Sequence, residues 1–409
     1  MGPSRFVIDR PAAFLRLPLE GPGPIDLDAV ELAQVWALVG LAALGRANGQ
    51  ALIVRSSGVS TVGRFAAAVG LDDAIAGRAM SGPGEPQRTA KIRRVRTPAE
   101  ADQAARDIAA LLLPNVDDDE SQRTIRFVLV ELMRNAIQHS ADPKGGVVAA
   151  QRMNAGQGGY ARAMLQVAVA DAGVGVLAAL SATYPELPTQ EAALIKALEP
   201  HVSGTFERGR TGTAENAGMG LFMVAEMAKL VGGRLLLASR GGAILLDGFV
   251  DAEGDARHRL EPVRPKGTGF PGTLVAFELP IGEVEDHAAL VQAVLEKRSL
   301  RMPSGPTVPW LRFAAPPQGT PTWVVTALGE DTTAAQHLSR ESLQPLLFAK
   351  KPIALDFVNV ELCTQSFGHA LLYEALRLSW AMQVPIFVEN TTPSVEVVLR
   401  HVDAYARSG

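Results

Sequence analysis

Hydrophobic and polar positions divide the chain into three blocks. In the first, up to about residue 96, an apolar run over 32–46 predicts a helix. Residues 51–54, Ala-Leu-Ile-Val, read as a short buried strand, and 62–68 as a second helix ending at Gly70. Residues 81–86 are rich in glycine and proline and read as a loop or boundary. The second block opens on Thr97-Pro98-Ala99-Glu100, which combines an N-cap threonine, proline at the first helical position and a glutamate three residues after the cap. Over 118–139, Ile125, Val128, Leu129, Leu132, Met133 and Ala136 recur at helical spacing and mark one apolar stripe. Leu165, Val167 and Val169 alternate, as along a strand with one face on a core. An apolar helix follows Gly218 and Gly220 and stops at Gly232-Gly233, with strand-like runs at 234–239, 243–246 and 273–279. A helix over 287–297 leads into proline-rich stretches at 302–309 and 316–321, which act as spacers. From 322 the order is strand (323–327), helix (333–348), strand (353–357), helix (367–382), strand (384–388) and helix (393–405). That alternation predicts an α/β architecture with a mainly parallel sheet.

A length of 409 residues suggests two or three domains. Hydrophobic residues make up 47% of the chain and charged ones 20%, enough for a globular core. The net charge of −4 gives no bulk reason to expect nucleic acid or an anionic membrane as a partner. The basic cluster Lys91, Arg93, Arg94 and Arg96 reads as a solvated linker. A single cysteine, Cys363, forms neither an internal disulfide nor a cysteine-rich zinc site and fits a reducing compartment. No signal-peptide core follows Met1, and the apolar stretch 30–44 contains Glu31 and Gln34 and is too short to span a bilayer. A soluble cytoplasmic protein is the expectation.

Three pieces carry chemistry. Glu131 and Asn135 are four apart on the predicted helix and so stack on one side, flanking the apolar stripe. An acid and an amide placed so can offer oxygen to a hard cation, although such a pair on a helix is more often simply solvated. The strand 165–170 runs into Asp171-Ala-Gly173-Val-Gly175, where the glycines let a ligand approach the backbone and the carboxylate can accept from an amino group. Its plain alternative is a strand followed by an ordinary turn. Gly218-Met219-Gly220-Leu221 opens a helix whose N-terminal N–H groups suit phosphate, or else merely flanks a core helix with glycine.

In this order the three pieces, with Gly272-Thr273, resemble the N, G1 and G2 boxes of the GHKL ATPase superfamily. That superfamily includes gyrase, heat-shock chaperone ATPases, sensor histidine kinases and anti-sigma-factor kinases. The resemblance covers roughly 97–281 and implies a Bergerat-type α/β sandwich that binds ATP with Mg2+. It implies that Asn135 holds Mg2+ and bridges it to the phosphates, and that Asp171 binds the adenine amino group with Thr273 nearby through water. Gly173 and Gly175 would line the adenine pocket, Gly218, Met219, Gly220 and Leu221 would meet the phosphates, and Glu131 would be the general base. His139 reads as structural. Residues 176–217, with a helix at 191–198 and a Gly/Thr/Arg-rich stretch at 204–216, read as a mobile lid. Arg208 and Arg210 there are solvated or meet phosphate.

The third block resembles the STAS fold of anti-sigma-factor antagonists, and more closely the STAS-like modules found beside GHKL domains. Its strand ends at Asp356 and leads to Thr364-Gln365-Ser366-Phe367 in place of the antagonists' Asp-Ser-Ser/Thr-Gly run. Ser366 is expected as an N-cap, with phosphorylation of Ser366 or Thr364 the minority reading. The first block resembles a degenerate STAS-like unit with a helix start at 28–32. The expected organisation is therefore a STAS-like domain over 1–96, a GHKL domain over 97–282, a helix and linker over 283–321 and a STAS-like domain over 322–409. Three functions follow from the resemblance: an ATP-hydrolysing switch relaying nucleotide state to a protein partner in signalling or phage defence, an anti-sigma-factor-like Ser/Thr kinase, or a non-hydrolysing ATP sensor. A homo-oligomer stays open. Histidine-kinase activity is disfavoured, because the helix over 99–113 holds no histidine.

Overall fold

The computed structural model describes residues 4–19, 24–45, 53–78, 84–85, 88–115, 119–156, 160–200, 202, 220–250, 256–264, 269–282, 284, 286–299 and 310–408. In chain order the elements are β1 (Ser4–Phe6), α1 (Ala12–Leu15), β2 (Ile25–Asp26), β3 (Val30–Ala33), α2 (Val35–Leu44), β4 (Val54–Arg55), α3 (Thr61–Ala68), α4 (Leu71–Ala76), β5 (Gly84–Glu85), β6 (Thr89–Val95), α5 (Pro98–Leu112) and α6 (Asp119–His139). Next come β7 (Gly146–Met153), β8 (Met164–Asp171), α7 (Val176–Leu180), α8 (Gln190–Ala197), α9 (Gly220–Leu230), β9 (Arg234–Ser239), β10 (Gly242–Val250), β11 (Ala256–Pro262) and β12 (Thr273–Pro280). The last are α10 (His287–Ser299), β13 (Leu311–Phe313), β14 (Thr322–Val324), α11 (Thr332–Leu338), α12 (Gln344–Phe348), β15 (Ile353–Asp356), α13 (Gln365–Met382), β16 (Ile386–Glu389) and α14 (Pro393–Ser408). The fold class is α/β. Two compact units result: residues 1–198 with 224–285, and residues 199–223 with 286–409.

The first unit is built on an eight-stranded antiparallel sheet in the order β11-β10-β9-β12-β8-β7-β6-β5. Helices α5 and α6 pack on one face. The start of α5 is as the sequence indicates: the Thr97 side chain accepts from Glu100 N. Helix α2 lies against the other face, on β7, β8 and β12. All eight residues of β8 are therefore buried, where alternation alone suggested one covered face. The pattern behind this is a difference in size. Leu165, Val167 and Val169 point one way, while Ala168 and Ala170 join Val147, Ala149, Leu274, Ala276, Leu236 and Ala238 in the core that surrounds α2. Small residues on that face let a helix backbone come close. All ten residues of α2 are buried, with Trp36 set edge-on to Phe14 at 5.0 Å between ring centres.

A buried helix needs partners for its first N–H groups. Here the sheet supplies them. One register row across the strands is polar: Gln151, Gln166, Glu278, Arg234 and Asp247 sit side by side on β7, β8, β12, β9 and β10. The Gln151 Oε1 accepts from Val35 N (3.2 Å) and the Gln166 Oε1 from Trp36 N (3.4 Å). Gln34, just before α2, accepts from Ile8 N (2.8 Å), Trp36 Nε1 (3.2 Å) and Gln166 Nε2 (3.1 Å), and donates to Tyr160 Oη (2.8 Å). Tyr160 in turn donates to Glu278, whose other oxygen takes Arg234 Nη1 at 3.3 Å. Burial pushes the Glu278 carboxyl up, and its bonds to Tyr160, Arg234 and Gln166 pull it back.

Several expectations are corrected here. Residues 32 and 33 are strand, because β3 pairs with β1 and the helix begins only after the extended Gln34. The stretch 28–32 is no helix start: Leu27–Ala29 is a short 3-10 turn held by Asp26 over Asp28 N and leads into β3. The basic cluster is no linker, since Lys91, Arg93 and Arg94 lie in β6, whose Ala90 and Ile92 are buried while Arg93 reaches Asp107 of α5 at 2.6 Å. The anticipated boundary near 96 thus falls between a strand and a helix of one unit.

The second unit carries a four-stranded parallel sheet, order β13-β16-β15-β14, with α11 to α14 around it, close to the order expected from 322 onward. Its cap assignment differs. Thr364 rather than Ser366 is the N-cap of α13: its Oγ1 accepts from Phe367 N (3.2 Å) and donates to Glu330 Oε2 (2.6 Å). Ser366 lies inside the first turn and is buried. The proline-rich stretch 302–309 lies outside the described residues. Among the described residues no helix is long and apolar enough to cross a membrane.

Trp36→Ala should lower the unfolding free energy by about 3–5 kcal/mol, the usual range for removing a buried aromatic ring. Gln166→Leu should cost about 1–3 kcal/mol by leaving Trp36 N without an acceptor. Urea unfolding midpoints of the two variants against the parent chain check both.

Candidate functional site

Helix α6 is placed by its apolar stripe against the sheet, and this fixes which way Glu131 and Asn135 face. Glu131 is 1% exposed and its Oε1 accepts from Arg134 Nη1 at 3.2 Å. One turn on, Asn135 Nδ2 is buried and has no hydrogen-bond partner among the described residues. An orphaned buried amide is costly unless something is meant to meet it. His139, a further turn along, has its imidazole pushed below the ordinary value by burial.

Strand β8 ends at Asp171, which sits opposite Thr273, the first residue of β12. The Asp171 carboxylate accepts from Gly173 N at 2.9 Å. Burial pushes this carboxyl up to about 7, helped by the negative charge of Asp142. The N–H groups of Gly173 and Thr273 and the charge of Arg240 oppose the rise.

The turn after Asp171 is held on every side. Ala172 N donates to Asp142 Oδ2 (3.0 Å), Val174 N to the Ser140 carbonyl (2.8 Å) and Val176 N to Ser239 Oγ (3.0 Å). Arg240 donates from Nη2 to the Gly173 carbonyl (2.6 Å) and from Nε to that of Val174 (3.3 Å). Ser239 Oγ also donates to the carbonyl of Gly272 (2.7 Å), which locks the turn to the start of β12. Gly173 is required by space: a Cβ there would lie 2.0 Å from the Ser140 carbonyl oxygen. Gly175 is required by backbone, with φ +84° where the chain turns into α7.

The structure thus brings Asp171, Gly173, Gly175 and Thr273 together at one end of β8 and β12, and puts Glu131 and Asn135 one turn apart on α6. Gly220 and Leu221 open α9, while Gly218 and Met219, like Arg208, Arg210 and residues 204–216, lie outside the described residues. Ser140, Asp142, Arg134, Ser239 and Arg240 were not singled out from sequence. The run His139-Ser-Ala-Asp142-Pro-Lys-Gly-Gly holds turn-forming residues, the local signal that bears on Ser140 and Asp142. Arg134, Ser239 and Arg240 look like ordinary helix and strand-end residues until the fold places them.

Among the described residues no three His, Cys, Asp or Glu side chains converge as metal ligands. A divalent ion at the Asn135 amide oxygen would therefore draw its other ligands from water and from an anionic partner such as phosphate, a pattern usual for Mg2+, and the unpartnered Nδ2 beside it is a donor suited to a phosphate oxygen. The carboxylate at the strand end, the backbone-tight turn beside it and the unsatisfied amide fit a nucleotide with its ion.

The family model for histidine kinase-, DNA gyrase B- and HSP90-like ATPases matches residues 120–281. Residues 120–281 are a GHKL-type ATPase domain. The match is less than half of the chain but spans Glu131, Asn135, the Asp171 turn, the start of α9 and Thr273. No curated protein and no solved structure matches the chain. The GHKL domain supports ATP binding and ATPase- or kinase-like activity.

Two outcomes test this geometry without nucleotide. Gly173→Ala should destabilise the GHKL domain by at least about 1–3 kcal/mol, the range for forced overpacking, read by thermal unfolding. The raised Asp171 carboxyl favours its protonated form in the folded chain. Its stabilisation is therefore full below the unfolded value near 4 and is lost as pH rises to about 7. Relative to Asp171→Asn, the parent chain should lose up to about 1.4 kcal/mol of stability per pH unit across that window and stay level above it. A stability difference that does not change with pH would contradict the assignment.

Proposed function

We propose that the chain is a Mg-ATP-binding, ATP-hydrolysing switch that relays its nucleotide state through its STAS-like third block to a protein partner. The observation that carries the reading is the buried, unpartnered Nδ2 of Asn135 one turn after the buried carboxylate of Glu131, inside the family match. In this reading Asn135 holds Mg2+ and the phosphates. Bound Mg2+ supplies charge neutralisation on the phosphate oxygens. Asp171 accepts from the adenine amino group, with Thr273 beside it, and Gly173 and Gly175 line the base. Gly220 and Leu221, at the N-terminal end of α9, offer backbone N–H groups to the phosphates together with Gly218 and Met219, which precede them in sequence.

Glu131 acts as the base that takes the proton of the attacking water or hydroxyl. Arg134, bonded to Glu131 at 3.2 Å, orients that carboxylate from the same helix. Hydrolysis is preferred over self-phosphorylation of the third block. The two acceptor candidates there are enclosed: Thr364 has no exposed surface and bonds Glu330, and Ser366 is buried. Phosphotransfer to a separate partner is the alternative.

Incubation of the full chain with γ-labelled ATP and Mg2+ separates the readings. Free phosphate supports the switch, label on protein supports the kinase, and bound but unconverted ATP supports a sensor. Asn135→Ala should abolish Mg-ATP binding in calorimetry, and retained affinity would remove the metal-site assignment. Glu131→Ala should leave the dissociation constant within about threefold while lowering kcat by about 100-fold or more, as expected for losing a general base.

A further inference from the structure

The turn that follows Asp171 is fixed by two charged side chains from different elements. Asp142, in the loop after α6, has both carboxylate oxygens engaged: Oδ1 takes Lys144 N at 2.8 Å and Oδ2 takes Ala172 N at 3.0 Å. Its own backbone is held in turn, with Asp142 N donating to Ser140 Oγ (3.0 Å) and Gly145 N to the Asp142 carbonyl (3.0 Å). The side chain is therefore a rigid peg, fastened to its own loop by one oxygen and to the residue after Asp171 by the other. Arg240 fastens the next two residues from the turn after β9.

We propose that Asp142 is a positioning residue for nucleobase recognition, fixing the direction of the Asp171 carboxylate through Ala172 while Arg240 fixes the same turn from the other side. The proposal rests on Asp171 being the base-reading carboxylate. Ala172 N is the amide directly after Asp171, so anchoring it restricts the backbone that aims the side chain. A neutral acceptor would satisfy that N–H equally well. A carboxylate there does more, because it places a second negative charge beside Asp171.

Among the described residues, these charged groups face the pair. Asp171 is faced by Asp142, which raises its proton affinity, and by Arg240, which lowers it. Asp142 is faced by Arg94 of β6, whose Nη1 donates to the Lys144 carbonyl at 3.4 Å and which has Arg96 beside it. An amino group on the base donates to Asp171 and favours the ionised carboxylate. Nucleotide affinity should therefore fall as pH drops through the titration of Asp171. Asp142 sets where that fall occurs, and Arg240 opposes it.

The test uses the full chain and two measurements. The first is the carbon-13 carboxyl titration of Asp171 in nucleotide-free protein, for the parent, Asp142→Asn, Asp142→Ser and Arg240→Gln. The second is the affinity of each for Mg-ATP from pH 5.5 to 8.5. Removing the charge of Asp142 should move the Asp171 midpoint down by about half a pH unit or more, and Arg240→Gln should move it up. In binding, both Asp142 variants should be several-fold weaker on the high-pH plateau, with the pH-dependent loss displaced to lower pH. Asp142→Ser keeps an acceptor for Ala172 N without the charge, so it reads the electrostatic part if Asp142→Asn does not fold. An unchanged midpoint in both Asp142 variants, with only a uniform loss of affinity, would reduce Asp142 to a turn-former and overturn the inference. No Mg-ATP binding by the parent chain would instead overturn the functional reading, and the inference with it. Binding by the parent with no change in any Asp142 variant would overturn the inference alone.

Discussion

Strand β8 passes through the first unit with water excluded from all eight of its residues, and it ends in a carboxylate. Everything around the site answers to that constraint. A strand buried on both faces needs a helix layer on each side, so α5 and α6 cover one face and α2 the other. The α2 side is lined by alanines that admit a helix closely, and a polar row from Gln151 to Asp247 receives the start of that helix. The same pair of strands thus meets the N-terminal segment at Gln166, which Glu278 of β12 holds from the side, and the candidate nucleotide site at Asp171 and Thr273.

Burial is also what gives Asp171 its chemistry. A solvated aspartate at a strand end would be ionised throughout the neutral range. Here desolvation and Asp142 hold the carboxyl near 7 against two backbone N–H groups and Arg240. Such a group is poised between donor and acceptor, and a ligand that needs an acceptor settles it. The turn beyond it leaves no slack, because its backbone groups are bonded by Ser140, Asp142, Ser239 and Arg240, and Gly173 has no space for a side chain. Preorganisation of this kind reduces the ordering cost of binding.

Much of this was legible in the residues. The 3.6-residue stripe over Ile125–Ala136, the Thr97 cap and the alternation in the last block all describe local periodicity, and local periodicity survives in the fold. What was not legible depends on neighbours distant in sequence. The strand β6 looked like a basic linker because the partners of Arg93 and Arg94, Asp107 and the Lys144 carbonyl, come from elsewhere in the fold. The small face of β8 gave no hint of α2 until the helix lay on it. Thr364 rather than Ser366 caps α13 because Glu330, more than thirty residues earlier, takes its hydroxyl and amide. Asn135 and Asp171 stand out through their motifs and the resemblance those motifs carry. Their working environment, Arg134 on one side and Asp142 with Arg240 on the other, comes from tertiary structure.

In the proposed function, recognition of the base rests on Asp171. A crystal structure of the full chain with Mg2+ and a non-hydrolysable ATP analogue tests it most directly. The expected result is the adenine amino group within hydrogen-bonding distance of the Asp171 carboxylate and the metal ion on the Asn135 amide oxygen. A nucleotide whose base lies away from Asp171, or an ion bound without Asn135, would contradict it.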